Sequence, residues 1–341
     1  MTEIGLSLGL SPKESMDRFV GLLKKAEDAG FDAAWIIDSQ VAMKDSYVAI
    51  AVAARETSRI KLGPGVTNLV TRHETVIANA MNTIASYAPG RVMVGVGAGD
   101  SAVFPIGRKP STVAESKVGL DRLRVLLRGD SLDFDSKTGA LSFTPEPVPP
   151  LYFSASQPRM LQVAGGHADG VIIMGPCDPE TVRMQIAHLD EGARSAGRDP
   201  AGITKDLWIT IAVGDGDQPV QDVKSWASAQ ARWLNAWREV PASLDRFRPE
   251  MEQAAAEYDF ATHLSLHASH AATISDDFAK ALAVAGTVDE CRQRVAELAA
   301  TGVDRITFAL LSGGRESRLA SLVQVAAPVQ NIDSAGKAVN A

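Results

Sequence analysis

Three side chains in the first third of the chain could hold or move a proton: Asp38, His73 and Asp100. Aspartate and histidine are residue types that do this work beside a reacting group. Ser39 and Gln40 adjoin Asp38, and Gly63-Pro64-Gly65-Val66-Thr67-Asn68 leads into Thr71-Arg72-His73. Asp100 closes the run Gly95-Val96-Gly97-Ala98-Gly99. Glycines such as Gly65, Gly97 and Gly99 let a ligand or another backbone come closer than a side chain would allow. Ser156, Gln157 and Gly175 follow two later apolar runs. There, hydroxyls and backbone N–H groups at a helix start can hold phosphate. Each group also has a plainer reading: Gly63-Pro64-Gly65 as a strand-ending turn, Arg72 as a structural ion-pair partner, Asp100 as a turn cap.

No Ser-His-Asp order and no Cys–His pairing marks a nucleophile system. His263, His267 and His270 fall at i, i+4 and i+7, so on a helix they would share one face and could bind zinc. No acid of the metalloprotease type lies between them, and the first strand lacks a His-x-His pair. A polar helix face is the favoured reading, and no metal is expected.

The elements that must position these residues alternate. Apolar runs at 4–10, 32–37, 60–66, 92–96, 151–155, 171–174, 207–213 and 306–311 read as eight strands, with helical patterns following them. In the first helix, Phe19, Leu22, Leu23 and Ala26 share a face, and Gly30 stands where a C-terminal cap belongs. Eight strands, each followed by helix, predict a (β/α)8 TIM barrel, whose active site lies at the carboxyl ends of the strands. An open doubly wound sheet is the competitor. It would need a third glycine at Asp100 and a helix opening at once, and neither appears. A small hairpin is expected within 131–150. The stretch 214–302 is too long for one crossover and reads as a helical insertion between strands seven and eight. Its Trp226, Trp233 and Trp237 recur at near-helical spacing and suit core or interface packing. Residues 1–327 read as one domain and 328–341 as a tail.

Composition narrows the partners. Among 341 residues, 45% are hydrophobic and 22% charged, the balance of a folded globular chain. Thirty-four bases against 41 acids leave −7, which argues against a surface built for nucleic acid. Cys177 and Cys291 form no paired motif and suit a reducing, cytoplasmic setting. The start lacks the basic region of a secretory leader, and no apolar run approaches the roughly 18 residues a membrane span requires.

Read in order, the mouth residues resemble the bacterial luciferase-like superfamily of flavin- and deazaflavin-dependent oxidoreductases, and most closely its methylenetetrahydromethanopterin reductase-like branch. The stretches that carry the likeness are 29–38, 62–68 with 71–73, 90–100, 167–171, 285–287 and 302–304. The resemblance implies a reduced deazaflavin (coenzyme F420) or FMN at the barrel mouth, and hydride transfer between that cofactor and a small organic substrate. It implies a non-prolyl cis peptide between Gly65 and Val66, in a bulge of the third strand behind the cofactor ring. It also implies a substrate-orienting or proton-donating acid at Asp100, with Asp38 and His73 as further catalytic candidates. Ser39, Gly97 and Gly99 would border the cofactor, and Ser156, Gln157 and Gly175 would meet its phosphate. One departure stands out: relatives often carry Asp-His after the second strand, whereas here Ser39 follows Asp38, and a hydroxyl does not titrate near neutral pH. A homodimer also goes with the family. The alternative within it is an FMN-dependent monooxygenase supplied by a partner flavin reductase. From other classes come a metal-dependent hydrolase on the same barrel, which the histidine triplet would favour, and a non-catalytic ligand-binding protein.

Overall fold

A computed structural model describes residues 2–238, 240–258 and 269–329. They gather into two compact groups, one of 5–172 with 188–204, the other of 2–4, 173–187 and the described residues from 205 onward.

Strands β1 (Glu3–Leu8, in the first group from Gly5), β2 (Ala33–Ile36) and β3 (Lys61–Pro64) run parallel. Gly5 pairs with Ala33 and Ala33 with Lys61. The expected third strand is broken in two. It resumes as β4 (Thr67–Asn68), which pairs with β5 (Val94–Gly97), and β5 pairs in turn with β8 (Leu151–Ala155). The break falls at Gly65-Val66, whose peptide bond is cis, at the position the resemblance implies. Between β5 and β8 lies the expected hairpin, β6 (Leu132–Phe134) and β7 (Lys137–Gly139), with Asp135 at a φ of 41° in its turn.

The side-chain period of two places Ser7, Trp35 and Gly63 in one register across three strands. Trp35 is fully buried and meets Tyr152 edge to face at 5.2 Å. Its ring fills the space over two glycines. A Cβ on Gly63 would lie 3.0 Å from Trp35 Cζ3, and one on Gly95 would lie 2.8 Å from it and on top of the Pro64 carbonyl oxygen. Glycine at both positions is what lets β3 and β5 approach around the break.

Helices α1 to α4 of this group each begin on a side-chain cap. Ser15 Oγ accepts from Arg18 N at the start of α1 (Met16–Asp28). Asp45 caps α2 (Ser46–Glu56), His73 caps α3 (Glu74–Tyr87), and Thr112 with Glu115 forms a capping box on α4 (Val113–Leu127). Helix α5 (Pro158–His167) is the exception: it opens on Pro158 with no side-chain cap bond. The expected face of α1 is buried, with Phe19, Leu22, Leu23 and Ala26 turned inward.

Strand β9 (Gly170–Met174) and helix α6 (Pro179–Ser195) follow. In the second group, β10 (Thr204–Val213) pairs with two strands in succession. Its middle runs beside β12 (Arg305–Ala309) and its end beside β11 (Val284–Gly286). The stretch 214–302 therefore holds a strand as well as helices, and three residues were too few to register as a periodic run. Its helices are α7 (Gln218–Asn235), α8 (Ala242–Asp245), α9 (Arg248–Glu257), α10 (Asp276–Leu282) and α11 (Val288–Ala299), and α12 (Arg315–Val329) follows β12. Helices α7 to α10 share an apolar core in which Phe247 stacks on Phe278 at 4.5 Å. Trp237 is buried in that core, Trp226 packs against it, and Trp233 lies beside the Arg232 guanidinium. His263 and His267 lie outside the described residues, as does the tail from 330. No helix among the described residues is long and apolar enough to cross a membrane.

Candidate active site

The carboxyl ends of β2, β4 and β5 deliver their loops to one place, and side chains tie the loops together. Ser39 Oγ lies 2.6 Å from Ser101 Oγ, and Gln40 Nε2 donates to the Ala102 carbonyl at 2.7 Å. The loop after β2 is thereby joined to the loop after β5. Gly65 N donates to the Ile36 carbonyl at 2.7 Å, which ties the strand break back to β2. Val66 leans across to β5: a Cβ on Gly97 would lie 2.6 Å from Val66 Cγ2. Gly99 takes a φ of 99°, in the left-handed region that favours glycine, and a Cβ there would lie 2.8 Å from Val103 Cγ1.

Asp38 is buried, with 2% of its side chain exposed, and both its oxygens accept from one guanidinium. Arg72 Nη2 reaches Oδ1 at 2.9 Å and Nε reaches Oδ2 at 3.2 Å. The same Nη2 lies 3.2 Å from Asp45 Oδ2, and the guanidinium carbon sits 4.1 Å from the centre of the Tyr47 ring. Burial alone would pull the Arg72 pKa down, but hydrogen bonding and charge from Asp38 outweigh it and hold the pKa raised. Burial pushes the Tyr47 phenol up, and its hydroxyl donates to Thr67 Oγ1 at 3.0 Å. For Asp45, burial acts upward, but the Val48 N–H and the Arg72 guanidinium overcome it and leave the carboxyl lowered.

Asp100 is partly buried at the end of the glycine run, and its carbonyl accepts from Val103 N at 2.9 Å and Phe104 N at 3.1 Å. These bonds open a 3-10 turn, Phe104–Ile106, whose Phe104 and Ile106 side chains stay exposed. His73 does different work. Its Nδ1 accepts from Thr75 N at 3.3 Å as the cap of α3, its ring tilts over Phe134 at 6.2 Å, and its side chain is 56% exposed. Ser156 is partly buried just past β8, and Gln157 is exposed at the cap position of α5. Gly175 belongs to the second group, where a Cβ would lie 3.0 Å from Gln185 Nε2.

Of the residues expected at a site, the contacts above involve Asp38, Ser39, Gly65, Val66 and Gly97, and Asp100 adjoins Ser101, the partner of Ser39. The sequence assigned no role to Tyr47, Thr67 or Ser101, and Arg72 read there as an ion pair without a partner. The pairings span 20 to 62 residues, and no local pattern carries such information. Val66 and the glycine run pack together without polar side chains between them. Hydroxyls of Ser39 and Ser101, one fixed carboxylate and backbone amides edge them. The Ser7 hydroxyl, in register with Trp35, is buried with no partner among the described residues. A planar heteroaromatic group with a few polar edges fits such a surface. Among the described residues, no three His, Cys, Asp or Glu side chains stand close enough to hold a metal ion.

Residues 1–305 match the family model described as luciferase-like monooxygenase. The chain is 27% identical over 327 residues to the 5,10-methylenetetrahydromethanopterin reductase of Methanolobus tindarius, covering 92% of this chain and 96% of the relative. Its fold superposes on the coenzyme F420-dependent tetrahydromethanopterin reductase from Methanopyrus kandleri with a TM-score of 0.78 at 24% identity, over 95% of this chain and 97% of the other. It is also similar to the oxygenating constituent of 3,6-diketocamphane monooxygenase from Pseudomonas putida in complex with FMN, with a TM-score of 0.66 at 17% identity, over 95% and 96% of the two chains. The fold is the expected (β/α)8 barrel, and the chain belongs to the luciferase-like monooxygenase family.

Proposed function

We propose that this protein is a coenzyme F420-dependent oxidoreductase that passes a hydride between the bound deazaflavin and a small organic substrate. The observation that carries the reading is the bulge between β3 and β4, set among the loops bearing Asp38, Ser39 and Asp100, in a chain whose relative over 92% of its length is a reductase of this family. When bound, the deazaflavin supplies the hydride donor or acceptor. The protein's part is placement. Gly65 and Val66 present backbone and an apolar side chain to one ring face, and Gly97 and Gly99 keep the adjoining wall free of side chains. Ser39, held by Ser101, borders the ring with a hydroxyl. Asp38, with both oxygens taken by Arg72, contributes a fixed negative charge. Asp100 is the carboxyl we assign to substrate orientation or proton donation, and His73 stands further out, committed through Nδ1 to its helix cap. Ser156 and Gln157 would offer a hydroxyl and an amide group to a phosphate.

We treat residues 1–327 as one functional domain, in line with the match over 1–305. Homodimerisation is proposed from the family resemblance alone. A cytoplasmic setting is supported by two buried cysteines that are both unpaired. The likeness to an FMN-bound monooxygenase favours a second reading, in which a partner reductase supplies reduced FMN.

Titration of the purified protein with coenzyme F420 and with FMN, followed by fluorescence and accompanied by metal analysis, separates these readings. Tight binding of coenzyme F420 with much weaker binding of FMN supports the first, and the reverse order replaces it with the second. Bound zinc with affinity for neither cofactor overturns both. Gly65→Val should weaken cofactor binding more than it weakens folding, and equal losses would reduce the bulge to a structural turn.

A further inference from the structure

Three side chains, from the loop after β2 and the start of α2, meet on the guanidinium of Arg72. Its fork holds both oxygens of Asp38 in the loop after β2, at 2.9 and 3.2 Å. The same Nη2 reaches Asp45 Oδ2 at 3.2 Å, while Asp45 Oδ1 caps α2 by accepting from Tyr47 N at 2.9 Å and Val48 N at 3.0 Å. The flat face of the group lies over the Tyr47 ring at 4.1 Å. The Tyr47 hydroxyl then donates to Thr67 Oγ1 at 3.0 Å, and Thr67, fully buried, is the first residue of the strand after the bulge. The next residue, Asn68, turns the chain toward Arg72, because its Oδ1 accepts from Val70 N, Thr71 N and Thr71 Oγ1. A guanidinium can serve all these partners because one rigid plane provides both a bidentate fork and a stacking face. An ammonium offers neither.

We infer that Arg72 is a positioning residue for the cofactor: through Tyr47 and Thr67 it sets where the Gly65-Val66 bulge stands behind the ring, and it fixes the Asp38 carboxylate beside it. The inference rests on the cofactor reading above. It concerns residues 34 positions apart that no strand pairing joins, and it assigns the catalytic placement to a planar fork rather than to positive charge alone.

The variants Arg72→Lys, Arg72→Met and Tyr47→Phe test it through two readouts. The first is hydrogen exchange of the cofactor-free protein over residues 62–72, followed by mass spectrometry. The second is titration with coenzyme F420 and with FMN, whichever the wild type binds. Arg72→Met should speed exchange across 62–72 while β5 keeps its wild-type rate, and should weaken cofactor binding about tenfold, the scale of a lost charge-assisted hydrogen bond. Tyr47→Phe keeps the ring and loses one neutral hydrogen bond, so binding should fall about fivefold. Arg72→Lys should recover the thermal midpoint of the wild type but not its affinity, a split that a purely structural ion pair would not produce. Unchanged exchange over 62–72 in Arg72→Met, or wild-type affinity in a folded Arg72→Met, overturns the inference. If the wild type binds neither cofactor, the functional reading falls, and the exchange result still upholds or overturns the hold of Arg72 on the bulge.

Discussion

One methyl group at residue 95 separates a close approach of two strands from a clash. A Cβ there would strike the Pro64 carbonyl and come within 2.8 Å of the Trp35 ring, and neither neighbour is the free end of a flexible chain. Gly95→Ala is therefore expected to destabilise the protein by about 1–3 kcal/mol, the range for overpacking a tight core. Urea denaturation with an unchanged m-value checks this, and an alanine variant as stable as the wild type would sink it. The glycine run was legible in the sequence, but its reason was not. Gly95, Gly97 and Gly99 could have been a nucleotide loop. In the fold they make room for a strand, for Val66 and for Val103 respectively, and each neighbour lies several residues or a whole strand away.

Helix α1 shows the same division among elements. Its apolar face followed from spacing alone, and nothing in that spacing set Glu27 apart. In the fold the Glu27 carboxylate is buried and accepts backbone N–H bonds from Ser58, Arg59 and Ile60, the turn that opens β3. Burial raises its pKa, but the three amides outweigh burial and the net shift is downward. A carboxyl whose folded-state pKa is depressed contributes stability in full above its unfolded value, near 4.3, and loses it as pH falls through the folded value. Glu27→Gln should cost about 2 kcal/mol at pH 7, the scale of hydrogen bonds to a charged acceptor. The gap between variant and wild type should narrow below about pH 4. Urea denaturation at the two pH values reads this out, and a gap that stays constant with pH would refute it.

At the scale of the whole molecule, Arg305 on β12 is almost fully buried, paired through Nη1 with the fully buried Asp206 on β10 at 3.1 Å and through Nη2 with Glu3. It joins residues 302 positions apart in the chain. Removing one partner of a buried pair strands the other charge, so Arg305→Met should cost about 3–5 kcal/mol. Chemical denaturation measures it, and a loss below about 1 kcal/mol, as for exposed pairs, would contradict the burial argument. The sequence by itself determined what depends on short-range periodicity: which segments are strand or helix, their alternation and hence the barrel, and the break at Gly65-Val66 through its family likeness. The tertiary structure decided what depends on contact between distant segments. It put Asp38 under the Arg72 fork, gave His73 to a helix cap, drew the three-residue β11 out of a helical stretch, and buried Glu27 and Arg305. Periodicity is a property of neighbours along the chain. Pairing over 20 to 302 residues exists only once packing has brought the groups together.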